Sequence, residues 1–361
     1  MGVALLGLVA SACGRDVDAS PRTAAPSATS SATPMPTTAS ASARPQTSTW
    51  ASCVAAPKCT PAPFSADKGE FRHARHRLLA KVGDPRHRGI DAVLGPKDEQ
   101  IVRAKLVYGE VDKDLEDEDV DVWVQRGCAG SWELLGEART TGDDAKAAAP
   151  GEPEGGGRIH FVIPEDKRLG GGLHPLRVVV RGDGSSAELS LLVTDGSLAL
   201  AVSDVDGTLT GTETEAFEKL LSRDPASAHP DAAAAIGALA ERGYQPVYLT
   251  ARPEWLVPAT RAFLRARGFP PGIVRTSLTR TGYLGEGAGE FKRVELEALR
   301  KRAPIQLAFG NMPSDAAAYA AVISEPRWRL LYRLDDPRGR RFDAYGDLLP
   351  DLRGLPACAP R

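Results

Sequence analysis

The chain has 361 residues, with 45 Lys and Arg against 47 Asp and Glu and a formal net charge of −2. That length predicts two domains, and the balanced charge argues against a general nucleic-acid binder. After the first residues, no apolar run is long enough for a membrane span.

The chain opens Met1-Gly-Val-Ala-Leu-Leu-Gly-Leu-Val-Ala-Ser-Ala-Cys13, an apolar stretch closing on small residues and a cysteine. This is the pattern of an export signal. It resembles a bacterial lipoprotein signal, which implies cleavage ahead of Cys13 and lipidation of Cys13; a plain export signal is the alternative. Both readings predict an exported protein, periplasmic or at the cell surface, and the first anchors it to a membrane. Residues 1–17 are assigned to the signal. Residues 18–50 are mostly Ala, Ser, Thr and Pro. Such a segment buries too little apolar surface to order itself, and it is expected to be a flexible linker. Cys53, Cys59, Cys128 and Cys358 remain. Their even number predicts two disulfides, in any of three connectivities.

A first folded domain is assigned to residues 51–196. Between residues 100 and 194 the apolar period is two. Val120, Val122 and Val124 alternate with polar neighbours, as do Leu176, Val178 and Val180, then Leu189, Leu191 and Val193. Gly182-Asp183-Gly184 marks a hairpin between the last two runs. Several short strands with one apolar face predict an antiparallel β-sandwich. Residues 72–88 are basic and carry His73, His76 and His87. An exposed face is favoured over contact with anionic lipid. Residues 112–119 hold six carboxylates, and a solvated loop is favoured over a Ca²⁺ site, since the EF-hand glycine and terminal glutamate are missing.

Residues 197–350 read differently, with 351–361 as a tail. Residues 198–210, Leu-Ala-Leu-Ala-Val-Ser-Asp-Val-Asp-Gly-Thr-Leu-Thr, are a buried strand running into Asp204 and Asp206. Two carboxylates this close repel, and a divalent cation with oxygen ligands relieves that cost. Gly207 lets the chain turn away. Then follow a helix over 231–242 closed by Gly243, a strand over 245–250 ending at Thr250-Ala-Arg252, and helices over 258–267 and 291–302. A strand over 305–309 ends in Gly310-Asn311-Met312-Pro313-Ser314-Asp315. A further helix runs through Val322, with a last strand over 329–333. This alternation predicts a Rossmann-like doubly wound parallel sheet, with its site beyond the strand ends.

Asp204-Val-Asp-Gly-Thr-Leu-Thr210 resembles the first motif of the haloacid dehalogenase superfamily, in the form of the lipin-type (LNS2-like) phosphatidate phosphatases. Thr250-Ala-Arg252, Gly310-Asn311 and Tyr319 carry the same likeness. Met312 departs from it, standing where lipins carry Arg. The resemblance implies Asp204 as nucleophile, Asp206 as acid and base, and Thr250 and Lys292 as phosphoryl-binding and charge-screening groups. It further implies Gly207, Thr208, Ala251 and Arg252 around the substrate, and Mg²⁺ held by Asp204, Asp206, Asn311 and Asp315. Taken singly, Thr250 is a helix cap and Lys292 a solvated helix-face lysine. Only short loops, 211–230 and 282–289, stand where a cap domain would fold, leaving an open site. Trp255, Leu256 and Val257 are placed either at its rim or in the core. A Mg²⁺-dependent phosphatase acting on phosphatidate or another lipid phosphate at a membrane surface is the leading expectation. A phosphatase for soluble or macromolecular phosphoesters and a non-catalytic surface binding protein are the rivals.

Overall fold

The structure, a computed structural model, describes residues 52–147, 153–211 and 226–360. The export signal, Cys13 and the linker lie outside the described residues, as do 212–225 in the first of the two short loops. No helix among the described residues is long and apolar enough to cross a membrane.

The period-two stretches form the sandwich. After helix α1 (Ala74–Val82) come β1 (Arg88–Ile90), β2 (Ala92–Leu94), β3 (Ile101–Lys105), β4 (Val107–Tyr108) and β5 (Lys113–Asp114). Then follow β6 (Asp119–Val124), β7 (Glu133–Arg139), β8 (Arg158–Val162), β9 (Gly172–Val180) and β10 (Ser186–Val193). One sheet runs β1-β3-β8 and the other β2-β10-β9-β6-β7. Val102, Val122, Leu176, Val178 and Leu189 fill the space between them. One pairing departs from the antiparallel expectation: β2 runs parallel to β10 at the sheet edge.

The basic and acidic runs are partners: much of 72–88 is exposed, as expected, while His76, His87, Arg88 and Glu118 are buried. Arg72 and His73 donate main-chain N–H groups to the Glu118 carboxylate, each at 2.9 Å, and the buried His76 ring lies 2.8 Å from it. Arg75 pairs with Glu116, Arg88 with Asp112 and Lys105 with Asp114. Opposite charges far apart in sequence pair here, some buried, such as His76 with Glu118, and some at the surface, such as Arg75 with Glu116.

His87 is buried at the sandwich end. Its Nδ1 accepts from the Val107 N–H (3.1 Å), and Ser185 Oγ lies 2.9 Å from Nε2. Burial depresses its pKa from 6.5 to about 4, against a smaller upward pull from Asp183. The unfolded chain therefore binds a proton that the folded chain refuses across that window. Its contribution is intact above about pH 6.5 and is lost as pH falls toward 4, by about 3 kcal/mol in all. Denaturant titrations of wild type and His87→Asn across this range should show a shallower acid loss in the variant. Equal slopes would contradict the assignment.

The second half alternates as its sequence requires: β11 (Leu200–Ser203), α2 (Ala232–Glu241), β12 (Gln245–Leu249), α3 (Val257–Ala266) and β13 (Ile273–Arg275). It continues with α4 (Gly285–Arg300), β14 (Ile305–Gly310), α5 (Pro313–Ala320), β15 (Arg329–Tyr332), β16 (Arg340–Phe342) and α6 (Tyr345–Gly354). The six strands are parallel in the order β13-β12-β11-β14-β15-β16, with an apolar cluster on each face. The chain adds strands on one side of β11, then returns to add β14 on the other. The crevice at this reversal is where such sheets hold ligands.

Several expectations change here. α4 begins at Gly285, so most of the second short loop is helix. Leu256 and Val257 are 3% and 4% exposed, which puts them in the core and not at a rim. Both disulfides form, Cys53–Cys358 and Cys59–Cys128. Val54 bridges Leu198 and Ala359, so this segment, assigned above to the sandwich, joins the α/β half. Cys358 and α6 likewise fix residues that were expected as a tail.

Candidate functional site

Asp204 is the first residue past β11, and its N–H still donates to the Phe309 carbonyl of β14 (2.9 Å). Its side chain is thereby held at the sheet's reversal point, 3% exposed. Gly207 then turns the chain at φ +69°, a backbone state that costs other residues strain. Lys292 of α4 donates to Asp204 Oδ1 (2.7 Å) and Asp315 Oδ1 (2.6 Å). The Thr208 hydroxyl sits between Asp204 Oδ2 (3.0 Å) and Asn311 Oδ1 (2.9 Å).

A second cluster adjoins it. The Arg252 guanidinium forks onto the Asp206 carboxylate at 2.6–3.0 Å, and the Thr250 hydroxyl donates to Asp206 Oδ2 (3.0 Å). Arg252 Nη1 also donates to Thr260 Oγ1 (2.9 Å). The sequence-derived residues from all four motifs therefore converge on the carboxyl ends of β11, β12 and β14.

Electrostatics explain why they stay together. Three carboxylates face two cations. Burial pushes the Asp204 carboxyl well up, Asp315 and Asp206 push it further, and Lys292 only partly offsets them. Burial disfavours the Lys292 ammonium, yet two carboxylates outweigh that and raise its pKa. The lysine is firmly charged while the carboxylates remain undersupplied with positive charge. An extra cation is the natural complement.

The donor set partly fits Mg²⁺. Asp204 and Asn311 offer side-chain oxygens that share one hydroxyl neighbour, which suits a hard cation that keeps several waters. Among the described residues no three His, Cys, Asp or Glu side chains converge as a ready-made cage. Asp315, expected as a ligand, uses Oδ1 on Lys292 and Oδ2 on the N–H groups of Asn311 (3.0 Å) and Met312 (3.1 Å). It holds the lysine and shapes the turn instead. Gly310 makes room for it, since a Cβ there would meet Asp315 Cβ at 2.5 Å. The Asp206 carboxylate is likewise engaged, by Arg252 and Thr250.

The expected substrate residues divide. Arg252 faces the site, whereas Thr208 is held between Asp204 and Asn311, and the Gly207 N–H already donates to Thr210 Oγ1 (3.0 Å). The Ala251 carbonyl accepts from the Tyr283 N–H (3.0 Å). Sequence reasoning missed Thr260, which steadies Arg252, and Tyr345, whose hydroxyl donates to the Thr208 carbonyl (2.8 Å). Tyr345 lies 137 residues from the group it holds, and Thr260, eight residues past Arg252, reads as an ordinary helix residue; no local pattern marks either. Tyr319, noted from its spacing, donates to the Phe309 carbonyl (2.6 Å) beneath Asp204.

Residues 201–327 match the family described as "PITM 1-3, LNS2 domain". The second half is an LNS2-like domain. Residues 85–193 match "PITM 1-3, beta-sandwich domain". Membrane-associated phosphatidylinositol transfer protein 1 of Rattus norvegicus is 28% identical over 257 residues, 70% of this chain and 19% of that protein. Protein retinal degeneration B of Drosophila melanogaster is 29% identical over 190 residues, 52% of this chain and 14% of its own length. Membrane-associated phosphatidylinositol transfer protein 2 of Homo sapiens is 26% identical over 267 residues, 73% and 18% of the two chains. This chain spans less than a fifth of each of these relatives. The half matched to the LNS2 domain holds Asp204 and Asp206 at the reversal of its parallel sheet.

Proposed function

We propose that the protein is a Mg²⁺-dependent phosphomonoester hydrolase working through an aspartyl-phosphate, with phosphatidate or another lipid phosphate as substrate. The observation that carries this reading is the pairing of buried Asp204 with Lys292 beside the Asp206–Arg252–Thr250 cluster. A nucleophile, a second carboxylate and two cations stand at one crevice.

Asp204 would attack phosphorus in line, forming an Asp204–phosphorus bond as the ester oxygen leaves. Lys292 orients the attacking carboxylate, and Arg252, held by Asp206 and Thr260, would share its guanidinium with the arriving phosphoryl oxygens. Asp206 is the acid and base of this reading: it would pass a proton to the leaving oxygen and take one back from the hydrolytic water. Asp204, Asp206 and Asn311 would hold Mg²⁺, which would supply charge neutralisation at the phosphoryl group.

Two observations support a lipid. The relatives are named as membrane-associated phosphatidylinositol transfer proteins. Leu284 is 91% exposed, with Tyr283 at 41% and Met312 at 42%, in the loops leaving β13 and β14 at the site's mouth. Exposed apolar groups at such a mouth can enter a lipid surface. They replace Leu256 and Val257 in that role. The two disulfides support an exported location, and lipid anchoring at Cys13 follows the same reading.

Phosphate release from phosphatidate vesicles and from a soluble aryl phosphate, with and without Mg²⁺, tests the assignment. Wild type should require Mg²⁺ on both. Leu284→Ser with Met312→Ser should lose at least about tenfold on vesicles and little on the aryl ester. Turnover of soluble esters alone would move the assignment to the soluble phosphatase. The transfer-protein names favour a second reading, a lipid-phosphate binder without turnover; phosphatidate binding with no phosphate release would establish it.

A further inference from the structure

We infer that the β-sandwich is a working part of the phosphatase site, positioning Arg252 through a buried carboxylate, Glu254. This rests on the hydrolase reading above and assigns a role to the domain that carries none of the motifs. Glu254 is 2% exposed and lies two residues after Arg252. Its oxygens accept from Arg158 of β8 at 2.7 Å and 3.1 Å, and from Arg88 of β1 at 3.4 Å. Arg88 is itself 5% exposed and also donates to Asp112 Oδ2 (2.7 Å). Both arginines stand at one end of the three-stranded sheet, on its two outer strands and level with Lys105 between them.

The link between Glu254 and Arg252 is stiff. Pro253 stands between them at φ −64°, ψ 155°, a ring-locked φ with the chain extended. The Glu254 N–H donates to the Thr279 carbonyl (3.3 Å), and Ser277 Oγ donates to the Arg252 carbonyl (3.0 Å). Moving the Glu254 carboxylate must therefore move the Arg252 backbone, whose guanidinium holds Asp206. A displacement of about 1 Å at such a group costs on the order of 100-fold in rate.

A second tie keeps the sandwich in register with the sheet. Asp91, wholly buried between β1 and β2, accepts from the Ser190 N–H (2.6 Å) within the sandwich. It also accepts from the Val274 N–H of β13 (2.8 Å) and from Arg261 of α3 (2.7 Å). Buried charges satisfied from both domains fix their spacing more tightly than an apolar contact would, because slippage would strand a charge. Glu254 therefore receives a stationary grip.

The experiment is a double-mutant cycle on the full chain, using Glu254→Gln and Arg252→Lys, read as kcat on an aryl phosphate and as affinity for inorganic phosphate. Positioning predicts that Glu254→Gln lowers kcat on the order of 10- to 100-fold in the wild-type background, and much less once Arg252 is altered. Arg158→Lys, which keeps the charge, should recover part of the loss seen in Arg158→Ala. Equal losses in both backgrounds, or wild-type kcat in Glu254→Gln, would overturn the inference. If wild type releases no phosphate, the hydrolase reading fails separately. Phosphate affinity then decides: a Glu254→Gln loss that vanishes with Arg252→Lys upholds positioning, and an unchanged affinity overturns it.

Discussion

Asp204→Asn should reduce turnover by four orders of magnitude or more, on the order seen when a covalent nucleophile is removed from other hydrolases. The exchange keeps shape but replaces the attacking oxygen anion with a neutral amide. It also removes the charge that Lys292 and the proposed Mg²⁺ answer. Lys292 keeps Asp315 as its partner at 2.6 Å, so losing the Asp204 charge should cost little stability. Unaltered melting with lost activity is the expected signature. Near-normal turnover in Asp204→Asn protein would exclude the aspartyl-phosphate route.

The reverse should hold for Lys292→Met. This change leaves Asp204 and Asp315, at 3% and 0% exposure, without their shared cation. Breaking a buried pair by removing one partner costs about 3–5 kcal/mol, since the remaining charge cannot reach water. Chemical denaturation should show that loss at neutral pH. The sign with pH follows from Asp204, whose folded pKa lies above its unfolded value. Its ionisation penalises the fold increasingly as pH rises above about 4. The deficit of the variant should accordingly shrink on acidification. A deficit under about 1 kcal/mol, typical of a surface ion pair, would mean that Lys292 is a solvated helix-face lysine.

These contrasts show what the sequence disclosed and where it fell silent. Asp204 and Asp206 were legible from the buried strand that they end, and Thr250, Lys292 and Asn311 through the family resemblance, since singly they read as a cap, a surface lysine and a turn; parallel sheets gather the strand ends at one edge. The period of two likewise disclosed the sandwich strands. Charge pairing was not legible. Residues 72–88 and 112–119 each look like solvated surface in isolation, and only the fold brings Glu118 under His76. The same applies to Glu254, whose partners Arg158 and Arg88 lie 96 and 166 residues away. Composition misled at residues 285–289, where three glycines suggested a loop. Packing of α4 on α5, with Gly289 close against Ser314, outweighs their weak helical preference. β13 and β16, at three residues each, are too short to carry a periodic signal.

Lipid preference, metal use and the role of the sandwich all depend on one chemical event at Asp204. Acid quenching of wild-type protein during Mg²⁺-supported turnover, followed by peptide mapping, observes that event directly. The mechanism predicts a phosphoryl group on the peptide carrying Asp204, removable by hydroxylamine and absent from Asp204→Asn protein. Sustained phosphate release with no phosphoryl group on Asp204 would contradict it.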